Sequence, residues 1–511
     1  MKKSTILTHK GYSSYICSVH VYSSLGKVIY GRMRFAFFLF WQGVFMIKII
    51  TSEDKYGYDI HSLFKAFFPS EDVKVIASVD GTYEANEEDK IYNIDVSVSK
   101  NDLKKNIYRL LNLETKRELP WGNLTGIRPT RIVMNLIEQN MSDEDIFKYM
   151  KDNYYTSDEK IALSLSIAHR EKEILKNIDY DNGYSLYIGI PFCPTTCLYC
   201  SFTSYPICSY AGIVDDYLAC IMKEIDYVAE NFKGKTLDTI YVGGGTPTTL
   251  LPDQIERLLG YVYDKLDVSN VKELTVESGR PDSITREKLV SMKKMGVTRI
   301  SVNPQTMRDK TLELIGRRHT VSQLVDAYNM AREEGFDNIN MDIILGLPNE
   351  TADDVRYTMS EIKKLDPDDL TVHSLAIKRG SKLAEVLKLK EQKGEFKGDI
   401  FSSINNTEEM MRIASEGALS MGLTPYYLYR QKNISGNFEN TGYARPGKAG
   451  IYNILINEEV QSIVALGAGT VTKRVYGYDG RIERCDNVKD VKLYMSQIDE
   501  MIRRKADLFN S

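Results

Sequence analysis

Tyr184-Ser-Leu-Tyr-Ile-Gly-Ile-Pro-Phe-Cys-Pro-Thr-Thr-Cys-Leu-Tyr-Cys200 joins an apolar run to three closely spaced cysteines. The run from Leu186 to Ile190 predicts a buried β-strand that leads directly into a C-x3-C-x2-C loop. Thiolates are the usual ligands of iron–sulfur clusters, which generally take four of them. We therefore predict a 4Fe-4S cluster on Cys193, Cys197 and Cys200, with one iron left open for a small molecule.

Two other interpretations of these cysteines explain less. A structural zinc site closes with four Cys or His ligands, yet no histidine lies between His169 and His319, and only Cys208 is nearby. A C-x-x-C redox pair formed by the last two cysteines would leave the first one unexplained. An iron–sulfur cluster accounts for all three.

Six β-rich runs follow one another from residue 184, separated by stretches with the 3.6-residue period of amphipathic helices. The predicted strands are Leu186 to Ile190, Thr239 to Val242, Glu273 to Val276, Arg299 to Val302, Met341 to Leu345 and Leu370 to Leu375. The predicted helices are Tyr217 to Phe232, Gln254 to Leu266, Arg286 to Met295, Val321 to Glu334 and Asp353 to Leu365. Repeated β/α units imply a parallel sheet, either open or closed into a barrel.

Composition and length bound the class of protein. A chain of 511 residues with 43% hydrophobic content predicts more than one domain, because single cores stop growing near about 250 to 300 residues. The formal charge is -4 and no basic block is present, so we expect no nucleic-acid partner. Seven unevenly spaced cysteines do not make a disulfide scaffold, which favours a reducing cytoplasm.

The N-terminal region precedes a second methionine. The apolar run from Phe35 to Trp41 is far shorter than the roughly 20 residues that span a bilayer, so we expect no stable membrane insertion. We interpret residues 1–45 as an extension upstream of Met46, which we expect to be the true start. A peripheral membrane anchor is the alternative.

Polar residues follow several predicted strands. Gly243-Gly-Gly-Thr-Pro247 ends the second strand, where residues without side chains let a ligand approach the backbone. Glu277, Gln305 and Asp342 are expected at or just beyond strand ends, where β/α folds place ligands. Capping of the following helix is the alternative for each. Arg128 and Arg131, in the mainly helical region before the first strand, are expected either to meet an acidic ligand or to be solvated or paired with a local carboxylate.

These motifs resemble those of a known family. The cysteine loop after the first strand is the signature of the radical S-adenosylmethionine (SAM) superfamily. The chain is most similar to the oxygen-independent coproporphyrinogen III oxidases, in particular their HemZ-type branch, over roughly residues 184 to 475. The motifs that carry the resemblance are Tyr187-Ile-Gly-Ile-Pro-Phe-Cys193, Gly243-Gly-Gly-Thr-Pro247, Glu277, Arg299-Ile-Ser-Val302, Gln305, Arg317 and Asp342-Ile-Ile-Leu-Gly-Leu-Pro348.

The resemblance implies a fold and a division of the chain. The expected fold class is α/β, a partial (β/α)6 radical SAM barrel with an N-terminal α+β domain and a C-terminal mixed domain. Residues 46–176 would form the N-terminal domain, 177–385 the radical SAM core and 386–511 a C-terminal domain that covers the substrate.

It also implies two sets of site residues. Tyr187, Gly244 and Glu277 would contact the SAM bound to the cluster, and Tyr187 and Glu277 are the residues to which we assign a catalytic role. The positions that match a second SAM are Tyr199, Gly245, Thr246, Gln305, Arg317, Asp342 and Ala376.

The implied reaction is oxidative decarboxylation. The reduced cluster would cleave SAM to methionine and a 5'-deoxyadenosyl radical, which takes a β-hydrogen from a propionate; loss of CO2 and one electron leaves a vinyl group. Two rounds convert coproporphyrinogen III to protoporphyrinogen IX. We expect a tetrapyrrole substrate, with reduced ferredoxin or flavodoxin as electron donor.

One departure from the family keeps a second function open. Phe202 stands where the best-defined oxidases carry a fourth cysteine, and related heme chaperones also have phenylalanine there. The His-Asn pair and the following Tyr-Trp of those chaperones are missing, since this chain has Tyr452-Asn453-Ile454-Leu455. A heme chaperone without decarboxylase activity is therefore the alternative function. Candidate partners for substrate carboxylates, which pair well with cationic side chains, are Arg430, Lys432 and Arg445.

Overall fold

The first four strands belong to a small mixed sheet. They are β1 (Val21–Tyr22), β2 (Met46–Thr51), β3 (Asp72–Ala77) and β4 (Lys90–Ile94). Their order is β1-β4-β2-β3; β2 runs parallel to β3 and β4, and β1 runs antiparallel to β4. Helices α1 (Gly57–Phe67) and α2 (Lys100–Thr115) bury apolar residues in one core with this sheet. The predicted N-terminal α+β fold is confirmed.

The computed structural model describes residues 21–22, 46–69, 71–78, 89–126, 128–378, 380–393, 404, 406–431, 438–477 and 480–510. Apart from Val21 and Tyr22, the predicted extension 1–45 lies outside the described residues, as does Lys432. The chain divides into two units, Met1–Thr125 with Tyr149–Ser157, and Gly126–Lys148 with Asp158–Ser511. No helix of the described ranges is long and apolar enough to cross a membrane.

Three helices follow the small sheet, as the sequence predicts for this region. They are α3 (Thr130–Glu138), α4 (Asp143–Tyr154) and α5 (Asp158–Ile174). A turn at residues 120–123 precedes them, where Pro120-Trp121-Gly122 predicts one.

The larger unit is built on one extended sheet. The strands after α5 are β5 (Gly183–Ile190), β6 (Phe192–Cys193), β7 (Tyr205–Pro206), β8 (Thr236–Gly244), β9 (Glu273–Glu277), β10 (Arg299–Ser301), β11 (Ile339–Leu345), β12 (Asp369–Ser374), β13 (Thr424–Tyr429), β14 (Asn440–Ala444), β15 (Ser462–Leu466), β16 (Val471–Val475) and β17 (Ile482–Asp486). Within the described ranges, eleven of them pair in the order β13-β14-β12-β11-β10-β9-β8-β5-β15-β16-β17, while β6 pairs with β7.

Helices cross between the central strands. They and the later helices are α6 (Ile207–Tyr210), α7 (Val214–Asn231), α8 (Pro252–Lys265), α9 (Arg286–Lys294), α10 (Asp309–Leu314), α11 (Val321–Glu333), α12 (Ala352–Leu365), α13 (Lys382–Lys393), α14 (Glu408–Ser420), α15 (Ile451–Glu458), α16 (Val491–Ser496) and α17 (Ile498–Asn510). Local sequence sets the ends of these helices. At the start of α11, the side chains of Thr320 and Gln323 each accept a hydrogen bond from the other's backbone N–H, which is a capping box. Helix α8 begins at Pro252, where the missing N–H of proline costs nothing.

The six predicted strands are the parallel centre of this sheet. Strands β5, β8, β9, β10, β11 and β12 are successive neighbours, all parallel. The α/β class and the partial (β/α)6 barrel are therefore confirmed, with helix ends within a few residues of the predicted ones. The C-terminal region extends both edges of the same sheet: β14 pairs antiparallel with β12, and β15 pairs parallel with β5.

A buried carboxylate fastens the last helix to this sheet. Lys505 of α17 forms an ion pair with Glu224 of α7 at 2.6 Å, and both side chains have 0% exposure. The same carboxylate accepts hydrogen bonds from the Gly467 N–H at 2.7 Å, the Tyr494 hydroxyl at 2.5 Å and the Asn487 amide at 2.9 Å. A charge removed from water in this way is tolerated only while its partners remain.

Replacing Lys505 with Met should therefore destabilise the larger unit by about 3 to 5 kcal/mol, because Glu224 is left as an uncompensated buried charge. Urea denaturation followed by circular dichroism measures the decrease in the free energy of unfolding. The matched control is Arg503→Met on the exposed side of the same helix, which should stay within about 0.5 kcal/mol of wild type. Equal midpoints for the two variants would refute the role of the ion pair.

Candidate active site

The cysteine loop lies against the end of the neighbouring strand β8. The Gly245 N–H donates to the Ile190 carbonyl at 2.8 Å, and the Thr246 N–H donates to the Phe192 carbonyl at 2.7 Å. The Thr246 hydroxyl also donates to the Cys193 Sγ at 3.4 Å. A Cβ at Gly245 would lie 2.6 Å from the Phe192 carbonyl oxygen and 3.0 Å from the Cys193 sulfur. Only glycine permits this approach.

The chemistry of the three thiols fits an iron–sulfur cluster. Burial raises the pKa of Cys193 to about 11, and the neighbouring Cys200 and Cys197 add to the shift. Burial also raises the pKa of Cys200, so bound iron would be needed to hold these sulfurs as thiolates. No three His, Cys, Asp or Glu side chains in the described part of the chain are placed to hold a single metal ion. Cysteine thiolates are the usual ligands of iron–sulfur clusters, so the type of donor fits such a cluster.

Glu277 connects the glycine run to the barrel interior. It is the last residue of β9; its carboxylate accepts hydrogen bonds from the Tyr241 hydroxyl at 2.6 Å and from the Gly244 N–H at 3.3 Å. Gly244 has a φ of 112°, a conformation that favours glycine. Burial raises the pKa of Glu277 to about 7, although the bond from Tyr241 opposes the shift. This carboxyl group can therefore change its charge near neutral pH.

Three tyrosines cluster beside Glu277, and in each pair the ring centroids are no more than 6.1 Å apart. The ring of Tyr241 stacks on Tyr452 of α15 with 4.4 Å between centroids, and on Tyr187 of β5 with 6.0 Å between centroids. Burial raises the pKa of the Tyr187 hydroxyl above its usual range. The stack ties a helix of the C-terminal region to the first two barrel strands.

Asp342 is the centre of a second polar group. Asn303 donates to its Oδ2 at 2.6 Å, Asn340 donates to its Oδ1 at 2.8 Å, and the His373 Nε2 lies 3.8 Å from Oδ1. Burial alone would raise the pKa of Asp342, but the interactions with His373 and Asn340 outweigh it and hold this pKa below its usual range. The expectation that Asp342 ends its strand is wrong: it is the fourth of the seven residues of β11, with its side chain on the inner face.

The remaining predicted residues surround these groups. Gln305 has a φ of 63° and donates its N–H to the Asp342 carbonyl at 2.8 Å. Arg317 is buried and donates to the carbonyls of Asn303, at 2.5 Å, and Gly279, at 3.0 Å. Ala376 follows the end of β12.

Two residues near Arg317 are also removed from water. Burial raises the pKa of Tyr199. The charge of Arg317 opposes this shift, and the neighbouring Cys197 adds to it. His319 is only 3% exposed, and neither ring nitrogen has a hydrogen-bond partner among the described residues. Burial, reinforced by Arg317, lowers the pKa of His319 to about 3, so its ring is neutral.

A cavity of about 400 Å³ occupies the barrel interior beside Glu277. Phe202 stands on its wall with 69% of its surface exposed. The buried pair of Arg299 and Asp369, 2.7 Å apart, is formed by the first residues of β10 and β12. The lining residues are Phe202, Tyr241, Glu277, Arg299, Ser301, Asn303, Asn340, Asp342, Thr371, His373, Tyr427, Tyr429, Asn453, Ile456 and Asn457.

Most of these lining residues were missed by the sequence analysis. Several occupy alternate positions of one strand or its extension, such as Arg299, Ser301 and Asn303, or Thr371 and His373. Alternate residues of a strand share one face, so polar side chains at every second position of an apolar strand were the available signal. Arg280, whose guanidinium donates to the Cys197 Sγ at 3.6 Å, gave no such signal.

Arg128 and Arg131 hold the C-terminal end of helix α15. Both donate to the Glu458 carbonyl, at 2.7 Å and 3.1 Å, and Arg128 also pairs with Glu459 at 3.1 Å. Both arginines pair with carboxylates, but the expectation of a local partner is wrong, because Glu458 and Glu459 are more than 300 residues away in sequence. Cations at a helix C-terminus satisfy carbonyls that lack partners within the helix. These arginines thereby position the helix that carries Tyr452 and Asn453.

The candidate carboxylate partners differ in their surroundings. Arg430 is buried, with 5% of its surface exposed. Arg445 pairs with Asp366.

Known proteins resemble this chain in sequence and in fold. The family model of the Radical SAM superfamily matches residues 187–362. The chain is 38% identical, over 86% of its length and 89% of the relative's, to the oxygen-independent coproporphyrinogen-III oxidase-like protein HemZ of Bacillus subtilis. It is 37% identical to the heme chaperone HemW of the same organism over 38% of this chain and 50% of that protein. The coproporphyrinogen III oxidase HemN of Escherichia coli, a radical SAM enzyme, has a similar fold, with a TM-score of 0.50 and 22% identity over 65% of this chain and 73% of that chain.

The sheet and the cysteine loop thus define a radical SAM protein, the class to which the family match assigns them. Within that class the chain belongs to the HemZ family, because the similarity to HemZ extends over nearly the whole of both proteins. Membership implies a 4Fe-4S cluster and SAM. The predicted superfamily and branch are confirmed.

Replacing Arg128 with Ala should loosen helix α15, because the helix end loses a charged donor worth about 1.5 to 3 kcal/mol. Hydrogen–deuterium exchange followed by mass spectrometry should show faster exchange in residues 451–458. The control is Arg412→Ala, which removes an exposed ion pair with Glu416 on another helix. Unchanged protection of α15 in the first variant would contradict the assigned role.

Proposed function

We propose that this protein catalyses the oxygen-independent oxidative decarboxylation of coproporphyrinogen III to protoporphyrinogen IX in the cytoplasm. The observation that carries the proposal is the position of Glu277. It binds Gly244, whose neighbour Gly245 touches the cysteine loop, and it also lines the cavity. A cofactor held there would lie between the cluster loop and a space for substrate.

The overall reaction balances for each propionate. The side chain loses one hydrogen atom from its β-carbon, CO2 and one electron, and a vinyl group remains. When bound, the cluster and SAM supply the 5'-deoxyadenosyl radical that accepts the hydrogen atom. The electron released requires a one-electron acceptor, and reduced ferredoxin or flavodoxin is the proposed donor to the cluster.

The chain's own residues bind and orient the reactants. Cys193, Cys197 and Cys200 would hold the cluster. Glu277, when ionised, offers a carboxylate to the ammonium group of SAM, while the side-chain-free Gly244 lets the cofactor approach the backbone. Tyr187 contributes a ring that contacts both Tyr241 and Tyr452.

A second SAM is part of the proposal. Its binding residues would be Tyr199, Gly245, Thr246, Gln305, Arg317, Asp342 and Ala376. Support comes from the position of Asp342 on the cavity wall and from its lowered pKa, because an ionised carboxylate favours a cationic ligand.

Heme binding and delivery without turnover is a second candidate function. The similarity to HemW favours it, although that similarity covers only 38% of this chain. The two functions differ in one measurable respect: a decarboxylase releases CO2 in repeated turnovers, whereas a chaperone binds heme in a fixed ratio.

The test is an anaerobic assay of the reconstituted protein with dithionite, SAM and coproporphyrinogen III. We expect 5'-deoxyadenosine, CO2 and protoporphyrinogen IX, the last measured by chromatography after oxidation. Cys197→Ala should abolish all three, whereas the matched variant Cys208→Ala, which alters an exposed cysteine outside the loop, should keep them. Cleavage of SAM without CO2 would defeat the substrate assignment, and heme binding at one per chain would then favour the chaperone function.

The pKa of Glu277 predicts how SAM binding depends on pH. Since this pKa is about 7, the carboxyl is mostly protonated at pH 6 and mostly ionised at pH 8. A cationic ligand favours the ionised form, so affinity for SAM should rise by up to about tenfold between these values and level off above them. Isothermal titration calorimetry of the reconstituted protein with SAM measures this affinity at each pH.

Two variants control this measurement. Glu277→Gln should bind SAM more weakly and without the rise, whereas Glu256→Gln, which alters a carboxylate outside the barrel on α8, should behave as wild type. A wild-type affinity that does not change between pH 6 and 8 would contradict the role of Glu277.

A further inference from the structure

Arg280 joins the end of strand β9 to the cysteine loop. It follows Glu277 by three residues and is 3% exposed. Its Nε and Nη2 donate to the two carboxylate oxygens of Asp282 at 2.9 Å and 2.7 Å. Both terminal nitrogens donate to the Thr195 hydroxyl at 3.1 Å, and Nη1 also donates to the Thr195 carbonyl at 3.2 Å. The guanidinium is therefore fixed on two sides.

One donor of this fixed group is directed at a cluster cysteine. The Arg280 Nη1 lies 3.6 Å from the Cys197 Sγ, and Cys197 is itself buried. A guanidinium keeps its charge under all ordinary conditions and presents its donors in a rigid plane. The charge therefore stays beside this sulfur.

The counter-charge lies on the other side of the guanidinium. Asp282 binds the Nε and Nη2 edge, whereas the Cys197 sulfur is met by Nη1. The positive charge is thus closer to the sulfur than the negative charge is. Because Arg280 has almost no exposure, water screens this arrangement less than it would at the surface.

The effect on a cluster follows from charge. Reduction adds one negative charge, and a nearby cation or a hydrogen bond to a ligating sulfur stabilises the reduced form. We propose that Arg280 raises the reduction potential of the cluster through Cys197, and that Asp282 limits the increase. The inference rests on the cluster that the proposed function requires, but not on the choice of substrate.

The test is a redox titration of the reconstituted full-length protein, followed by the electron paramagnetic resonance signal of the reduced cluster. Arg280→Met should lower the ratio of reduced to oxidised cluster at a fixed solution potential about tenfold, a shift of about 59 mV for a one-electron couple. Asp282→Asn should shift the potential in the opposite direction, because the guanidinium loses its counter-charge. Arg280→Lys, which keeps the charge, should restore part of the loss.

A merely structural role predicts a different pattern, in which both variants perturb the loop and change the potential in the same direction or not at all. Either result overturns the proposal. The control is Arg318→Met, an exposed cation in the same segment as Arg317, which should leave the potential unchanged.

Two further results keep the test decisive. If Arg280→Met binds less than four irons per chain, Asp282→Asn decides alone: a raised potential supports the proposal and an unchanged one overturns it. A wild-type protein that holds a reducible cluster but forms no CO2 defeats the substrate assignment and leaves the potentials of the variants as the test of Arg280.

Discussion

The close approach of two neighbouring strand ends governs the arrangement of the site. Strands β5 and β8 pair in parallel as far as Ile190 and Gly244, and the hydrogen bonds continue past the strands through Gly245 and Thr246. This extension holds the start of the cysteine loop against backbone that carries no side chain at Gly245. A methyl group there would have to displace the loop, because the nearest atoms are backbone and a cysteine sulfur. The strand pairing thus sets where the three thiols lie.

The second constraint is the polar interior of the barrel. Arg299 and Asp369 form an ion pair that is essentially without exposure, and the Tyr426 hydroxyl also donates to Asp369 at 2.8 Å. Such pairs add little net stability, since desolvation of the two charges offsets their attraction. One face of the barrel strands therefore carries polar and charged side chains instead of a fully apolar core. That face also forms the wall of the cavity, so its polar side chains are available to bind a ligand.

The sequence was sufficient for the parallel centre of the fold. Apolar runs such as Leu186 to Ile190 and the amphipathic stretches between them have clear periods, and the periodicity alone placed six strands and five helices. The cysteine spacing also identifies the loop from local sequence, since its three cysteines lie within eight residues. Asp342 was placed at a strand end, but it lies inside β11. A polar residue within an apolar run looks like the boundary of a strand unless alternate positions are compared across neighbouring strands.

Contacts between segments that are far apart in the chain could not be predicted from the sequence. The partners of Arg128 lie at residues 457–459, and Tyr452 reaches Tyr241 from helix α15. No local pattern specifies such pairings, because a single arginine or tyrosine is compatible with many neighbours. Arg280 was missed for this reason as well: its function depends on which residues meet it in space.

The charges of the site are divided between its two ends. Arg280 lies beside the cysteine loop, and a cluster with thiolate ligands is the more reducible when cations are near. Glu277 and Asp342 line the cavity, where carboxylates favour a cationic ligand. His319 adds no charge to either end, because its pKa is lowered to about 3. This separation suits a site in which an anionic electron carrier and a cationic cofactor must lie next to each other.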